Sequence, residues 1–456
     1  MNKININTRY TLSPDYVLRK SKSNYILYHT HTSFRYTISY NLFLILKIFR
    51  NNLVTFANVF DYFKNKNISC DSIINQLEAL PVKDFLVSNT RHPYDKYDIY
   101  TKLNRPNSKT DFTPERIDWL ISERCNLSCK HCLQSSSPML KEKAIDLSIM
   151  DRIFTQMDEL NIETLKITGG EPLYVNNAKA IFKKMIGRHF EKIVLSNGLL
   201  IDDEWIDIFK DKTFHLSHSL DGVNEKTHDY IRGKGAFSKL VSNLKKMAKS
   251  DIYAAFTVTI NTCNHHEVEE IANLALNEFS ARRVIFNFMR PIGRAQKNEY
   301  LYLSNIEMQN VKERLRRLEN IYKERLVISD DSSLLEKPST TLYTDSTRLT
   351  CAAGTIVLAI DNNLDVYPCT YGIGKRHLKM GNIAENSIID IWQSPQWDLF
   401  RGGISLGEID ECSNCEFISR CTLKQCRLKP LSTGNGFYSH VGYCHANKIT
   451  TNSQFV

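Results

Sequence analysis

The 456-residue sequence predicts an α/β chain built on a partial (β/α)6 TIM-like barrel, with a small strand-and-helix domain before it and a cysteine-rich domain after it. Three observations predict this. Strand and helix signals alternate from residue 117 to 289 with the βα period of a parallel sheet. Residues 1 to about 95 follow a different pattern that ends in a polar stretch, and seven cysteines crowd between 351 and 444.

In the first domain, Tyr16-Val-Leu and Tyr25-Ile-Leu-Tyr read as short strands about a polar turn, and 34–38 as a third. An apolar helix is expected over 41–50 and further helical segments over 58–66 and 71–80. Three strands beside three helices are the simplest assembly. Pro93, Pro106 and Pro114 punctuate the linker that follows. Barrel strands are expected at 117–122, 164–168, 192–196, 214–220, 254–260 and 284–289, and six units suit an open barrel rather than a closed eightfold one. Ile149, Ile153, Met157 and Leu160 mark one intervening helix face, and the segments at 178–185 and 265–276 behave alike. A charged helix over 306–326, with Met308, Val311, Leu315 and Leu318 on one face, is expected to bridge to the last domain. Beyond 344 periodicity fades, so metal sites rather than a large apolar core are expected to hold that part together.

Composition narrows the classes. The longest apolar stretch, 42–49, is interrupted by Lys47 and falls far short of the roughly 20 residues that span a bilayer. No secretory signal is read at the N-terminus, so the cytoplasm is the expected compartment. The net charge of +9 is spread along the chain without a dense basic run, so a nucleic-acid partner is not expected; an acidic peptide satisfies the same charge. Cytosolic thiols stay reduced, and ten of the twelve cysteines fall in two groups, so metal ligation is expected rather than disulfides. Cys70 and Cys263 stand apart and are expected to be buried structural thiols.

The first group, Cys125-x3-Cys129-x2-Cys132, follows the first barrel strand directly, on the loop where barrel enzymes place their chemistry. Three thiolates so spaced can wrap one corner of a 4Fe-4S cubane and leave one iron open. A structural zinc site would want a fourth ligand, and His131 adjoins Cys132 too closely to turn to the same metal. The spacing resembles the radical SAM superfamily, whose signature is C-x3-C-x2-C on the first βα loop. That resemblance implies that the open iron chelates S-adenosyl-L-methionine (SAM) and that reductive cleavage supplies a 5'-deoxyadenosyl radical. It further implies SAM contacts at His131 beside the adenine, at Gly169, Gly170 and Glu171 in Thr-Gly-Gly-Glu-Pro, and at Ser196 and Asn197. Ser219 and Arg232 complete the set, the arginine as partner of the SAM carboxylate. No catalytic acid or base is assigned.

The second group runs Cys351-x17-Cys369, then Cys412-x2-Cys415-x5-Cys421-x4-Cys426, then Cys444, and resembles the SPASM domain of radical SAM enzymes that mature peptides and proteins. By that resemblance Cys412, Cys415, Cys421 and Cys444 hold one auxiliary 4Fe-4S cluster, and Cys351, Cys369 and Cys426 belong to another nearer the active site. The chain departs from the pattern at Leu364, where glycine is usual, in the four-residue gap before Cys426, and in having no cysteine from 343 to 350. The order of strands and helices in residues 1–95 resembles the RiPP recognition element, a winged-helix-like domain that grips the leader of a ribosomally made precursor by strand addition.

The expected organisation is thus a recognition-element-like domain at 1–95, a linker at 96–114, a radical SAM partial barrel at 115–300, a bridging helical region at 301–345 and a SPASM domain at 346–456. Together these parts resemble a RiPP maturase that uses SAM, one SAM-binding 4Fe-4S cluster and two auxiliary 4Fe-4S clusters to cross-link a precursor peptide. An external donor such as flavodoxin or ferredoxin would reduce it. The anaerobic sulfatase maturase, a formylglycine-forming oxidase, places an aspartate after the second tail cysteine, where this chain has Thr370. A non-enzymatic alternative is a metal-stabilised peptide-binding scaffold, which predicts no SAM cleavage.

Overall fold

The computed structural model describes residues 113–329 and 348–405 except 143–144, 161, 291, 351, 355 and 398–399, the strands and helices of 9–88 with a few flanking residues, and Ile409, Ser413 and Leu428. It divides into two compact units, 1–113 and 114–456.

In the first unit β1 (Arg9–Leu12), β2 (Tyr16–Ser21), β3 (Asn24–His29) and β4 (Arg35–Ile38) precede helix α1 (Tyr40–Asn51). Strand β5 (Val54–Thr55), helix α2 (Cys70–Glu78) and β6 (Leu86–Ser88) follow. The expected meander is present, antiparallel in the order β2-β3-β4, with Leu18 opposite Leu27. A second antiparallel sheet, β5-β1-β6, was not anticipated. The Ser39 hydroxyl caps α1 by accepting from the Leu42 N–H at 3.1 Å, and Leu42, Ile45, Leu46 and Phe49 at helix-face spacing are buried against Leu18, Leu27 and Phe56. The helix expected over 58–66 falls mostly outside the described residues, as does the linker.

The second unit carries the barrel. Its strands and helices run β7 (Arg116–Ser122), α3 (Leu147–Glu159), β8 (Thr164–Gly169), α4 (Ala178–Lys183), β9 (Glu191–Ser196) and α5 (Asp203–Phe209). They continue with β10 (Phe214–Ser219), α6 (Glu225–Arg232), α7 (Ala236–Ala248), β11 (Ala255–Ile260), α8 (Val268–Asn273) and β12 (Val284–Phe288). All six strands pair in parallel in chain order, as the alternation predicts.

The helix expected to bridge domains does something else. Helix α9 (Asn305–Tyr322), opened by a Ser304–Glu307 capping box, delivers β13 (Leu326–Ser329), which pairs in parallel with β12 as a seventh strand. Val311, Leu315 and Leu318 bury against Ile271, Ala275 and Phe286, so this helix is an outer layer of the barrel.

The cysteine-rich segment is also tied into the sheet. After β14 (Arg348–Thr350), strand β15 (Val357–Ile360) pairs in parallel with β7, and β16 (Asp365–Tyr367) and β17 (Gly381–Asn382) extend the sheet antiparallel. Helix α10 (Ile388–Gln393) and β18 (Arg401–Ser405) follow. The ten strands therefore lie in the open order β13-β12-β11-β10-β9-β8-β7-β15-β16-β17. Ile388, Ile391, Trp392, Trp397 and Phe400 are buried here, so an apolar core supports this segment, contrary to the expectation of metal alone. Arg152 of α3 donates to the carbonyls of Ile383 and Ala384 at 2.8 and 2.6 Å, fastening it to the barrel.

Leu364, standing where the SPASM pattern has glycine, ends the β15–β16 turn at φ +66°. A left-handed non-glycine residue carries a cost of roughly 1–2 kcal/mol, which explains the family's preference. Leu364→Gly is therefore expected to exceed Leu364→Ala in stability by about 1 kcal/mol, because both lose the side chain and only glycine relaxes the backbone. Denaturant titration of both variants checks this; an alanine variant as stable as the glycine one contradicts it.

Candidate functional site

Because the seven strands β7–β13 are parallel, their C-terminal ends share one rim, and the residues singled out from sequence gather along it. The loop after β7 holds the three cysteines. Its turns are fixed locally: Cys125 N–H donates to Ser137 O at 3.2 Å and Cys132 N–H to Cys129 O at 3.2 Å. Backbone N–H groups also point at sulfur, Leu127 to Cys125 Sγ and Ser136 to Cys132 Sγ, both at 3.4 Å. Cys125 and Cys129 are buried, and Cys132 is half-buried.

Burial pushes the Cys125 thiol up to about 12, and the neighbouring Cys129 and Cys132 push the same way. Burial also raises Cys129, although the Arg232 guanidinium opposes it. A pocket that gathers thiols and penalises the thiolates of Cys125 and Cys129 is short of positive charge, and a bound metal cluster supplies it. The donor set is three cysteines on one loop, which matches a cubane taking one thiolate on each of three irons, whereas a structural zinc wants four ligands on one metal.

The Gly-Gly-Glu-Pro turn after β8 packs on this loop. A Cβ on Gly169, at φ +136°, would lie 2.3 Å from Ser122 O, and one on Gly170 would lie 2.0 Å from Arg124 O. The glycines are thus required by close approach of the loop's own backbone, with Gly170 N–H donating to Ser122 O at 2.6 Å. Glu171, expected to accept from a SAM ammonium, is fully buried and accepts from Leu173 N–H at 3.0 Å, Ser196 Oγ at 2.9 Å and Asn197 N–H at 2.7 Å. Burial lifts its carboxyl to about 7 against the pull of those donors. Asn197 in turn donates to Asn126 Oδ1 at 2.8 Å, so the exits of β7, β8 and β9 are linked through one carboxylate.

A second network lies behind Cys129. Asp221, fully buried just past β10, accepts from His131 Nε2 at 2.6 Å and Thr259 N–H at 2.8 Å, and pairs with Arg232 Nε at 2.7 Å. Burial works against ionisation, yet Arg232 and His131 hold the Asp221 carboxyl far below the usual range. Arg232 also reaches Cys129 Sγ at 4.0 Å. His131 and Arg232, expected beside the adenine and on the carboxylate of SAM, both converge on Asp221, which the sequence left unassigned. Ser219 is half-buried at the end of β10.

Of the second cysteine group only Cys369 is described; Cys351, Cys412, Cys415, Cys421, Cys426 and Cys444 lie outside the described residues, as does the side chain of Cys70. Cys369 is half-buried at the end of β16, and the turn after it brings the Tyr371 ring to 5.6 Å from the Arg290 guanidinium at the β12 exit. Cys263 is partly exposed rather than buried.

The radical SAM superfamily profile matches residues 119–275, and the SPASM profile, an iron-sulfur cluster-binding domain, matches residues 351–416. This chain carries a radical SAM domain followed by a SPASM domain. The first implies SAM and a 4Fe-4S cluster, and the second implies auxiliary iron–sulfur clusters. The chain is 25% identical to the sporulation killing factor maturation protein SkfB of Bacillus subtilis, over 76% of this chain and 79% of that one. It is 25% identical to the mycofactocin maturase MftC of Mycolicibacterium smegmatis, over 68% of this chain and 77% of that one. In fold it is similar to Streptococcus suis SuiB bound to S-adenosylmethionine, with a TM-score of 0.70 and 16% identity over 95% of this chain and 99% of that one. Among the described residues no helix is long and apolar enough to cross a membrane.

Proposed function

We propose that this chain is a radical SAM maturase that removes hydrogen from an unactivated C–H bond of a ribosomally made precursor peptide and installs a thioether or carbon–carbon cross-link. One observation carries the reading: three buttressed thiols stand on the first βα loop of an open parallel barrel, in a chain that also bears a SPASM domain. Cys125, Cys129 and Cys132 hold the SAM-binding cluster, and Cys351, Cys369, Cys412, Cys415, Cys421, Cys426 and Cys444 hold the auxiliary ones. When bound, cluster and SAM supply the 5'-deoxyadenosyl radical that abstracts hydrogen.

The chain's own residues bind and orient. Gly169 and Gly170 bring backbone to the rim beside the cysteine loop, Ser219 offers a hydroxyl there, and Glu171 fixes Ser196 and Asn197. His131 and Arg232 act through Asp221 to seat Cys129. An external one-electron donor such as flavodoxin or ferredoxin reduces the cluster, and the cytoplasm, with its reduced thiols, suits ten clustered cysteines. Two similar proteins are named the sporulation killing factor maturation protein SkfB and the antilisterial bacteriocin subtilosin biosynthesis protein AlbA, and SuiB has a structure with the precursor peptide SuiA. The formylglycine-forming reading fares worse, since Thr370 supplies no carboxylate base.

Residues 1–95 bind the leader by strand addition to a sheet edge and so raise the local concentration of the core peptide. Reduced holoenzyme with SAM and the peptide encoded by a short reading frame beside the gene is expected to yield a product lighter by two hydrogen atoms in mass spectrometry. Deleting 1–95 is expected to weaken leader binding by about tenfold or more while SAM cleavage without peptide persists. Unchanged leader affinity would remove the recognition role.

A further inference from the structure

The turn leaving β12 grips the cysteine loop from outside. Gly293 sits at φ +65°, and a Cβ there would fall 2.2 Å from Leu133 O, so the backbone passes directly against the loop. Arg294 then makes four hydrogen bonds to it: its N–H donates to Cys132 O at 2.9 Å, Nη1 to Cys129 O at 2.7 Å, and Nη2 to Ser135 O at 2.9 Å and Ser136 O at 2.5 Å. One helical turn on, Asn298 Nδ2 donates to Lys130 O at 2.9 Å. The carbonyls of Cys129 and Cys132, and of Lys130 between them, are thus held by a segment more than 150 residues away in sequence.

The planar guanidinium fork lets one residue hold several carbonyls in fixed relative positions, and it brings a permanent positive charge with it. That fixed charge is hydrogen-bonded to the carbonyl of Cys129 itself, at 2.7 Å. Reduction adds negative charge to a thiolate-bound cluster, so a nearby permanent cation favours the reduced form.

We propose that Arg294 is a positioning residue for the SAM-binding cluster: its fork sets the shape of the cysteine loop, and its charge beside Cys129 raises the cluster's reduction potential. This rests on Cys125, Cys129 and Cys132 being the ligands. Both effects can be read on the cluster itself, without turnover.

The test compares wild type with Arg294→Gln, Arg294→Lys and Asn298→Ala after anaerobic reconstitution. Iron and sulfide per chain report loading, and an EPR-monitored redox titration reports the potential. Arg294→Gln is expected to load less cluster and to shift the potential downward. Arg294→Lys, which keeps charge but loses the fork, is expected to load poorly yet keep a potential near wild type. Asn298→Ala is expected to lower loading without moving the potential. Wild-type loading and potential in Arg294→Gln would overturn the proposal; should that variant fail to fold, full loading in both Arg294→Lys and Asn298→Ala would overturn it. A wild-type protein that takes up no iron would instead refute the ligand reading, and this proposal with it.

Discussion

Replacing Cys129 by alanine is expected to abolish reductive cleavage of SAM while leaving the barrel folded. Cys129 is the middle thiol of the loop, buried, and the one that Arg232 approaches. Two remaining thiols cannot hold a cubane in a defined orientation, so its open iron is lost with the third ligand. The structural cost is small: truncating a buried thiol removes one sulfur, about 1 kcal/mol, and the surrounding loop bonds are backbone ones that remain. Chromatography for 5'-deoxyadenosine should therefore read background, with a circular dichroism melt near that of wild type. Cys263→Ala, in the partly exposed thiol outside the cluster motif, should turn over SAM normally.

Removing the Asp221 carboxylate is the second large effect. The side chain is fully buried and answers Arg232, His131 and the Thr259 N–H at once, so Asp221→Ala leaves a guanidinium buried without its counter-charge. Breaking such a pair from one side costs about 3–5 kcal/mol, a large share of a domain's stability. Denaturant titration of the apoprotein should show that loss. The same pair sets an acid limit. The folded carboxyl holds its proton less tightly than the unfolded one, so the stabilisation is complete above about pH 4 and drains away as pH falls below it. A variant as stable as wild type at neutral pH would contradict this.

How much was legible follows from the range of the interactions. Periodicity is local, so β7–β12 with α3, α4 and α8 could be read directly, and the cysteine spacing located the loop at the first strand's exit. Helix α9 was legible as a helix, but nothing in its own residues says that the strand after it pairs with β12. The assignments of Arg232 and His131 missed their partner because Asp221 lies 90 residues beyond His131, and Ser-Leu-Asp-Gly reads equally well as a rim turn. Arg294 went unmarked for the same reason, although Gly293-Arg294 at a barrel-strand exit was a signal available in sequence. The buried tryptophans of 388–397 were hidden by an emphasis on cysteines; Ile388, Ile391 and Trp392 sit at helix-face spacing.

The most direct test of the account is the metal and its response to SAM. Protein purified without oxygen is expected to be brown, to carry several iron and sulfide atoms per chain, and after reduction to give an EPR signal that changes when SAM is added, with 5'-deoxyadenosine released. Colourless protein holding only zinc, with no SAM-dependent signal and no nucleoside product, would contradict it.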